Sequence, residues 1–127
     1  MGQPKQDRPL FEGGPLMSQV QSWKKQFGAV DSEGNVIQEG EIYLTQIGED
    51  RFVWRPLNRY EYKEILALPN TDPLQREEII CQTCVLWPEG YNYEMMARGK
   101  AGIPALLAEQ IMEASGFVNQ LTPPTRL

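Results

Sequence analysis

The sequence contains no histidine, and its 127 residues include only two cysteines. Without an imidazole the usual general base of nucleophilic catalysis is missing, and a closed zinc site would need carboxylates beside the two thiols. No glycine-rich phosphate loop follows a predicted strand. Two cysteines also provide no disulfide framework, which is typical of a reducing cytoplasm. We therefore expect a non-enzymatic protein with no cofactor and no metal.

Long apolar runs and an excess of positive charge are missing too. Proline, glycine or charged residues interrupt the apolar runs well before the ~20 residues that span a bilayer, and the first residues lack the apolar core of a secretion signal. Twelve basic residues against 17 acidic ones give a formal charge of −5, which repels a phosphate backbone. We expect a soluble, unexported protein that binds neither membrane nor nucleic acid.

The length and the pattern of the chain predict one core. Residues 1–16 are rich in proline, glycine and charge and are predicted to form an extended arm. Residues 17–117 are predicted to form a compact helical domain with a β-hairpin near residues 41–55, and residues 118–127 form a C-terminal tail. The predicted fold class is α+β: a mostly helical single domain with one β-hairpin and an extended N-terminal arm.

The first predicted helix begins at Met17, with Ser18 as its N-cap and Gly28 as its stop. Its apolar face carries residues at helical spacing, namely Val20, Trp23 and Phe27. Residues 31–40 are predicted to be a turn-rich connector. Residues 41–47 and 51–55 then alternate as strands around a turn, with Phe52 and Trp54 on one face of the second strand.

Two capping boxes predict the next two helices. Asn58 with Glu61 opens the first, and Asp72 with Gln75 opens the second, which is predicted to run until Pro88. The residues predicted to face the core are Tyr62, Ile65, Leu66, Leu68, Leu74, Ile80, Cys81, Cys84 and Val85. A further short helix is predicted within residues 91–98.

The last predicted helix is specified at both ends. Pro104 suits its first turn, Gly116 suits a left-handed position after its last turn, and Phe117 is placed to fold back. Its predicted apolar stripe consists of Ile103, Leu106, Leu107, Ile111 and Ala114.

Cys81 and Cys84 have a spacing that is shared by zinc knuckles, thiol redox centres and helical cores. A redox pair needs its first cysteine at a helix N-terminus, where the dipole stabilises the thiolate. Cys81 instead follows Glu77 and Glu78 inside a predicted helix. We interpret both cysteines as core residues, and a thiol or metal protein that uses them is the alternative.

Two segments are candidates for binding partner proteins. Apolar residues on a flexible arm suit docking on another subunit, although an ordinary disordered terminus is the alternative. An aromatic and methionine-rich segment after residue 86 suits an adaptable binding surface, and equally a core. The predicted partner-binding residues are Leu10, Phe11, Leu16, Trp87, Tyr91, Tyr93, Met95 and Met96.

Several short motifs follow one another within residues 41–117. They are Arg51-Phe-Val-Trp-Arg-Pro-Leu57, Tyr60-Glu-Tyr-Lys-Glu64, Cys84-Val-Leu-Trp-Pro88, Ala101-Gly-Ile-Pro-Ala-Leu-Leu-Ala-Glu109 and Ser115-Gly-Phe117. In this order they resemble a family of small tailed-bacteriophage proteins, which are encoded among tail genes and described as tail assembly chaperones or small virion structural proteins. The resemblance implies no catalytic residues. It implies structural or partner-facing roles for Arg55, Pro56, Trp87, Pro88, Gly102 and Pro104.

From the residues and the resemblance we expect a structural or assembly protein of a bacteriophage tail or baseplate, which acts by protein–protein binding within the virion. Its expected partners are other tail proteins, including the tape-measure protein, and it is expected in multiple copies. The expected location is the virion tail, and the host cytoplasm during assembly. The alternative is a transient tail assembly chaperone that binds the tape-measure protein.

Overall fold

The structure is a computed structural model that describes residues 7–117 and 124–127. Helices and antiparallel strands occur together along the chain, which confirms the α+β class. The chain divides into a first unit, Met1–Arg55 with Val85–Tyr91, and a second unit, Pro56–Cys84 with Asn92–Leu127. Within the described ranges no helix is long and apolar enough to cross a bilayer.

The first unit contains one helix and two antiparallel sheets in its described part. The helix is α1 (Met17–Gln26), and the strands are β1 (Ala29–Val30), β2 (Val36–Gln38), β3 (Tyr43–Ile47), β4 (Asp50–Trp54) and β5 (Val85–Trp87). β1 pairs with β2, and β4 lies between β3 and β5. The segment predicted as a connector, residues 31–40, therefore contains a strand. That prediction was wrong because strand pairing depends on partners and not on local turn composition.

Asp7 caps α1, and the prediction that Ser18 is the N-cap was wrong. Leu16 occupies the N-cap position and has no polar side chain to offer. The Asp7 carboxylate accepts hydrogen bonds from the Ser18 backbone N–H, at 2.9 Å, and from the Ser18 hydroxyl. These two bonds hold the pKa of Asp7 below its usual value, and the bond from the hydroxyl contributes more than the bond from the backbone. A cap that comes from another segment leaves no trace in local spacing.

The described part of the predicted arm turns back toward its own start. The Leu10 N–H donates to the Pro15 carbonyl at 2.8 Å, and the Met17 N–H donates to the Arg8 carbonyl at 2.7 Å. Residues 8–17 therefore form a closed loop that ends at the first residue of α1. Residues 1–6 of the predicted arm, and residues 118–123 of the predicted tail, lie outside the described residues.

β4 is buried on both of its faces. Phe52 and Trp54 lie on one face and Val53 on the other, and none of the three is more than 5% exposed. The Trp54 indole N–H donates to the Thr45 hydroxyl at 2.8 Å, so that its polar atom is satisfied. Gly48, with φ of 63°, occupies the first position of the two-residue turn between β3 and β4, where a positive φ is required.

The second unit contains helices in its described part: α2 (Arg59–Ala67), α3 (Pro73–Cys84), α4 (Tyr93–Arg98) and α5 (Ile103–Ala114). α3 packs against α5 and also contacts α2 and α4. Both predicted capping boxes are confirmed. The Glu61 N–H donates to the Asn58 side chain and the Gln75 N–H donates to the Asp72 side chain, each at 2.8 Å. In return, the side-chain oxygens of Glu61 and Gln75 accept from the backbone N–H groups of Asn58 and Asp72.

The predicted end of α5 is confirmed as a Schellman motif. The Phe117 N–H donates to the Met112 carbonyl at 3.0 Å, the Gly116 N–H donates to Glu113 at 3.1 Å, and Gly116 has a φ of 100°. The Phe117 ring packs on Tyr62 of α2 with a centroid distance of 4.8 Å. The last turn of α5 is therefore tied to α2.

Two predicted features of the helices were wrong. α3 ends at Cys84, and Val85–Trp87 form β5, because pairing with β4 outweighs the local helical pattern. Leu107 is fully buried, whereas Leu106 is 48% exposed, since neighbouring residues on a helix point ~100° apart. Predicted core residues that are also exposed are Leu66, Leu68 and Leu74.

Candidate protein-binding surface

The structure brings two of the predicted partner-binding residues into direct contact. Phe11, in the loop before α1, meets Trp87 of β5 edge to face, with ring centroids 4.9 Å apart. The Arg51 guanidinium lies 5.1 Å from the Phe11 ring centroid, which adds a cation–π contact. Both aromatic side chains are half-buried. The described part of the arm is thus anchored within the first unit by an aromatic pair.

A groove with a mixed polar and apolar lining opens beside this pair. It encloses about 530 Å³ between residues 14–23 and residues 86–89. Its lining includes Leu16, Trp23, Leu86 and Trp87, and its polar members are Ser18, Gln19 and Glu89. We call it the tryptophan groove. Leu16 is 46% exposed there, so an aliphatic side chain and two half-buried indoles face a space that can admit another chain.

Trp87 and Phe11 also line a smaller hollow of about 330 Å³. Its other walls include Glu12, Glu49, Asp50 and Arg51. The two spaces flank the Phe11–Trp87 pair within the first unit.

The remaining predicted residues divide between core and surface. Tyr91 is buried and packs edge to face on Phe52 at 5.3 Å, and Met96 is buried in the second unit. The structure therefore assigns these two to the core, the reading that the sequence left open for their segment. Tyr93 and Met95 lie on α4 and are 45% and 38% exposed. Leu10 is half-buried.

The two cysteines are confirmed as core residues. Neither has any exposed surface, and the Cys81 thiol lies 3.3 Å from the Pro104 carbonyl, to which it donates. Burial first, then the charges of Cys84 and Glu77, raise the pKa of Cys81 to about 12. The thiol is therefore protonated at neutral pH. Within the described part of the chain no three His, Cys, Asp or Glu side chains are arranged to hold a metal.

Cys81 should resist alkylation in the folded protein. With a pKa of about 12, on the order of one Cys81 in 10⁴ is a thiolate at pH 8, and burial blocks access as well. We expect iodoacetamide at pH 8 to leave native Cys81 unmodified while labelling it readily in guanidinium, as measured by peptide mass spectrometry. Rapid labelling of the native protein would contradict the core assignment.

Of the leucines and tryptophans that line the tryptophan groove, the sequence analysis named Leu16 and Trp87 as partner-binding and missed Trp23 and Leu86. Trp23 was predicted to lie on the apolar face of α1. In the structure Val20 is the buried residue of that helix, whereas Trp23 is half-buried. Leu16, Gln19 and Trp23 have the spacing of one helix face, and that spacing was a usable signal.

Comparisons with protein-family models, with curated proteins and with solved structures found no match to this chain.

Proposed function

We propose that this chain is a non-enzymatic protein of a bacteriophage tail or baseplate, which binds neighbouring tail proteins through apolar surface. The observation that carries the binding role is the tryptophan groove. Tryptophan is among the residues that contribute most to the binding energy of protein interfaces. An exposed leucine beside two indoles provides apolar area, and its burial by a partner would stabilise a complex. The phage assignment is supported by the order of the motifs.

The positions of the motif residues fit this division of roles. Trp87 lines the tryptophan groove and is therefore available to a partner. Pro104 is buried in the first turn of α5, and the Arg55 guanidinium lies 4.5 Å from the Phe27 ring centroid, so both support the fold. Motif residues thus include one on the candidate binding surface, and others that are packed inside one unit or the other.

Mass spectrometry of purified phage particles, combined with lysine cross-linking, tests the proposal. Lys24 and Lys25 lie at the end of α1, on the helix that lines the groove, and can report its neighbours. We expect the chain in the particle, cross-linked to other tail proteins. Recovery only from infected cells, bound to the tape-measure protein, would identify the chaperone alternative. Absence from both would refute a role in the tail.

Replacing Leu16 with aspartate should reduce incorporation into particles at least tenfold. Leu16 occupies the N-cap position of α1, where aspartate is a favoured residue, so the fold should be retained. The substitution places a charge at the tryptophan groove and removes the leucine side chain, whose burial by a partner is worth roughly 1.5–3 kcal/mol. The measurement is the copy number per particle beside the thermal midpoint of the isolated protein.

Leu74→Asp is the matched control for this variant. Leu74 is 66% exposed in the first turn of α3, where an acidic residue is also favourable, but it belongs to the second unit. We expect normal incorporation of Leu74→Asp. If the two variants incorporate equally, the tryptophan groove is not the binding surface.

A further inference from the structure

The hairpin formed by β1 and β2 exposes all of its strand residues. Val30, Val36 and Ile37 are 54%, 42% and 68% exposed, although their branched apolar side chains favour burial. A two-stranded ribbon with no buried face has little stability of its own. Something other than a core must therefore hold this hairpin in place.

Its base is clamped to the end of α1 by two glycines. The Gly40 N–H donates to the Lys24 carbonyl at 2.7 Å. A Cβ atom on Gly28 would lie 2.3 Å from the Gln38 carbonyl oxygen, and one on Gly40 would lie 2.7 Å from the Phe27 carbonyl carbon. Only glycine permits such a close approach of backbones at both positions.

Its tip is fixed by Asp31. The Asp31 carboxylate accepts hydrogen bonds from the backbone N–H groups of Glu33 and Asn35, each at 2.9 Å, and the Asp31 N–H donates to the Asn35 carbonyl at 2.9 Å. The bonds that the carboxylate accepts lower the pKa of Asp31, and the bond from the Asn35 backbone N–H contributes most. The hairpin is ordered at both ends while its apolar side chains stay exposed, so binding costs little further ordering of the hairpin itself.

A bulge gives the hairpin its most exposed apolar side chain. Ala29 pairs with Gln38 and Val30 pairs with Val36, which leaves Ile37 as the extra residue of β2. Within the described part of the chain this sheet has two strands, so each of them presents a backbone edge. An exposed edge beside exposed β-branched residues is the arrangement to which an extended peptide adds as a strand.

The charge of the hairpin selects its partner. Residues 29–41 contain Asp31, Glu33, Glu39 and Glu41 and no lysine or arginine, in a chain whose formal charge is −5. Two copies that paired through this segment would bring like charges together, which opposes self-association. A segment that carries lysine or arginine would instead be attracted to these carboxylates.

We propose that the β1–β2 hairpin is a docking surface for an extended segment of a partner protein in which apolar residues alternate with lysine or arginine. The segment adds as a strand, its apolar side chains cover Ile37, and its cations face the four carboxylates. This inference rests on the proposed protein-binding function and adds the chemistry of one partner. It does not depend on the phage assignment.

The test uses the full chain and a synthetic eight-residue peptide of alternating valine and lysine, with binding followed by titration calorimetry at two salt concentrations. We expect saturable binding to the wild-type protein and at least fivefold weaker binding to Ile37→Ser. Leu74→Ser, which removes a leucine of nearly equal exposure (66% against 68%) from the second unit, should bind like the wild type. Replacing Glu33 and Glu39 with glutamine should weaken binding and flatten its salt dependence.

A peptide of alternating serine and lysine separates this mode from general attraction between charges. Equal binding of both peptides, or unchanged binding to Ile37→Ser, would overturn the proposal. So would a wild-type dimer in sedimentation that Ile37→Ser abolishes, since the occupant would then be a second copy. The particle experiment fails or succeeds independently: peptide binding without virion residence would refute only the tail assignment.

Discussion

Replacing Leu107 with alanine is expected to lower the free energy of unfolding by about 2–5 kcal/mol. Leu107 has no exposed surface, and it lies on α5, the helix that packs against α3 in the second unit. The shorter side chain removes apolar contacts and leaves a cavity that neighbouring side chains cannot fill completely. Such a loss is a large share of the ~5–15 kcal/mol by which domains are stable. Urea denaturation followed by circular dichroism measures it.

Leu106→Ala provides the control within the same turn of the same helix. Leu106 is 48% exposed, so its truncation should change stability by no more than about 0.5 kcal/mol. The two variants remove the same atoms from adjacent positions and differ only in what those atoms contact. Equal destabilisation would mean that α5 packs through the stripe that includes Leu106, as the sequence predicted, and not through the observed face.

The helix ends of the second unit were predictable because their signals are local. A cap such as Asn58 and its partner Glu61 are three residues apart, and the Schellman end at Gly116 depends on a single turn of helix. Steric limits on φ act at one residue and are legible in the sequence. The buried stripe of α5 was only approximately predictable, since Leu106 and Leu107 differ in burial but not in chemistry.

The strands of the first unit were predictable only where a tight turn joins them. The β3–β4 hairpin closes around Gly48 and was recovered, whereas β5 comes from a segment more than 30 residues away from β4. Local sequence cannot report a partner at that distance. The cap of α1 by Asp7 was not predicted for the same reason, because Ser18, which donates to Asp7, lies 11 positions along the chain.

The candidate surface was partly predictable. Aromatic and aliphatic composition singled out Leu16 and Trp87, which the structure places on one groove, but composition could not distinguish buried Tyr91 from half-buried Trp87. The β1–β2 hairpin was missed because its apolar residues are few and lie among turn-forming residues. Its exposure is a property of the packed chain and becomes visible only in three dimensions.

Replacing Gly28 with alanine should destabilise the protein by about 1–3 kcal/mol, a large effect for one methyl group. The new Cβ would lie 2.3 Å from the Gln38 carbonyl oxygen and 2.9 Å from that of Lys24. Both atoms belong to the backbone, so no side-chain rotation relieves the clash, and the end of α1 must separate from β2. Denaturant unfolding gives the stability, and hydrogen exchange at the Gly40 N–H, which donates to Lys24, reports the clamp.

Gly102→Ala is the matched control, because a Cβ at Gly102 meets no atom within 4 Å and its φ of −81° suits alanine. We expect its stability to change by no more than about 0.5 kcal/mol, and the Gly40 exchange rate to stay as in the wild type. Gly28→Ala should instead speed that exchange and weaken binding of the valine–lysine peptide, since the hairpin would lose its support. If Gly28→Ala matches Gly102→Ala in stability and exchange, the hairpin is not clamped at its base, and the preorganisation on which its docking role depends is absent.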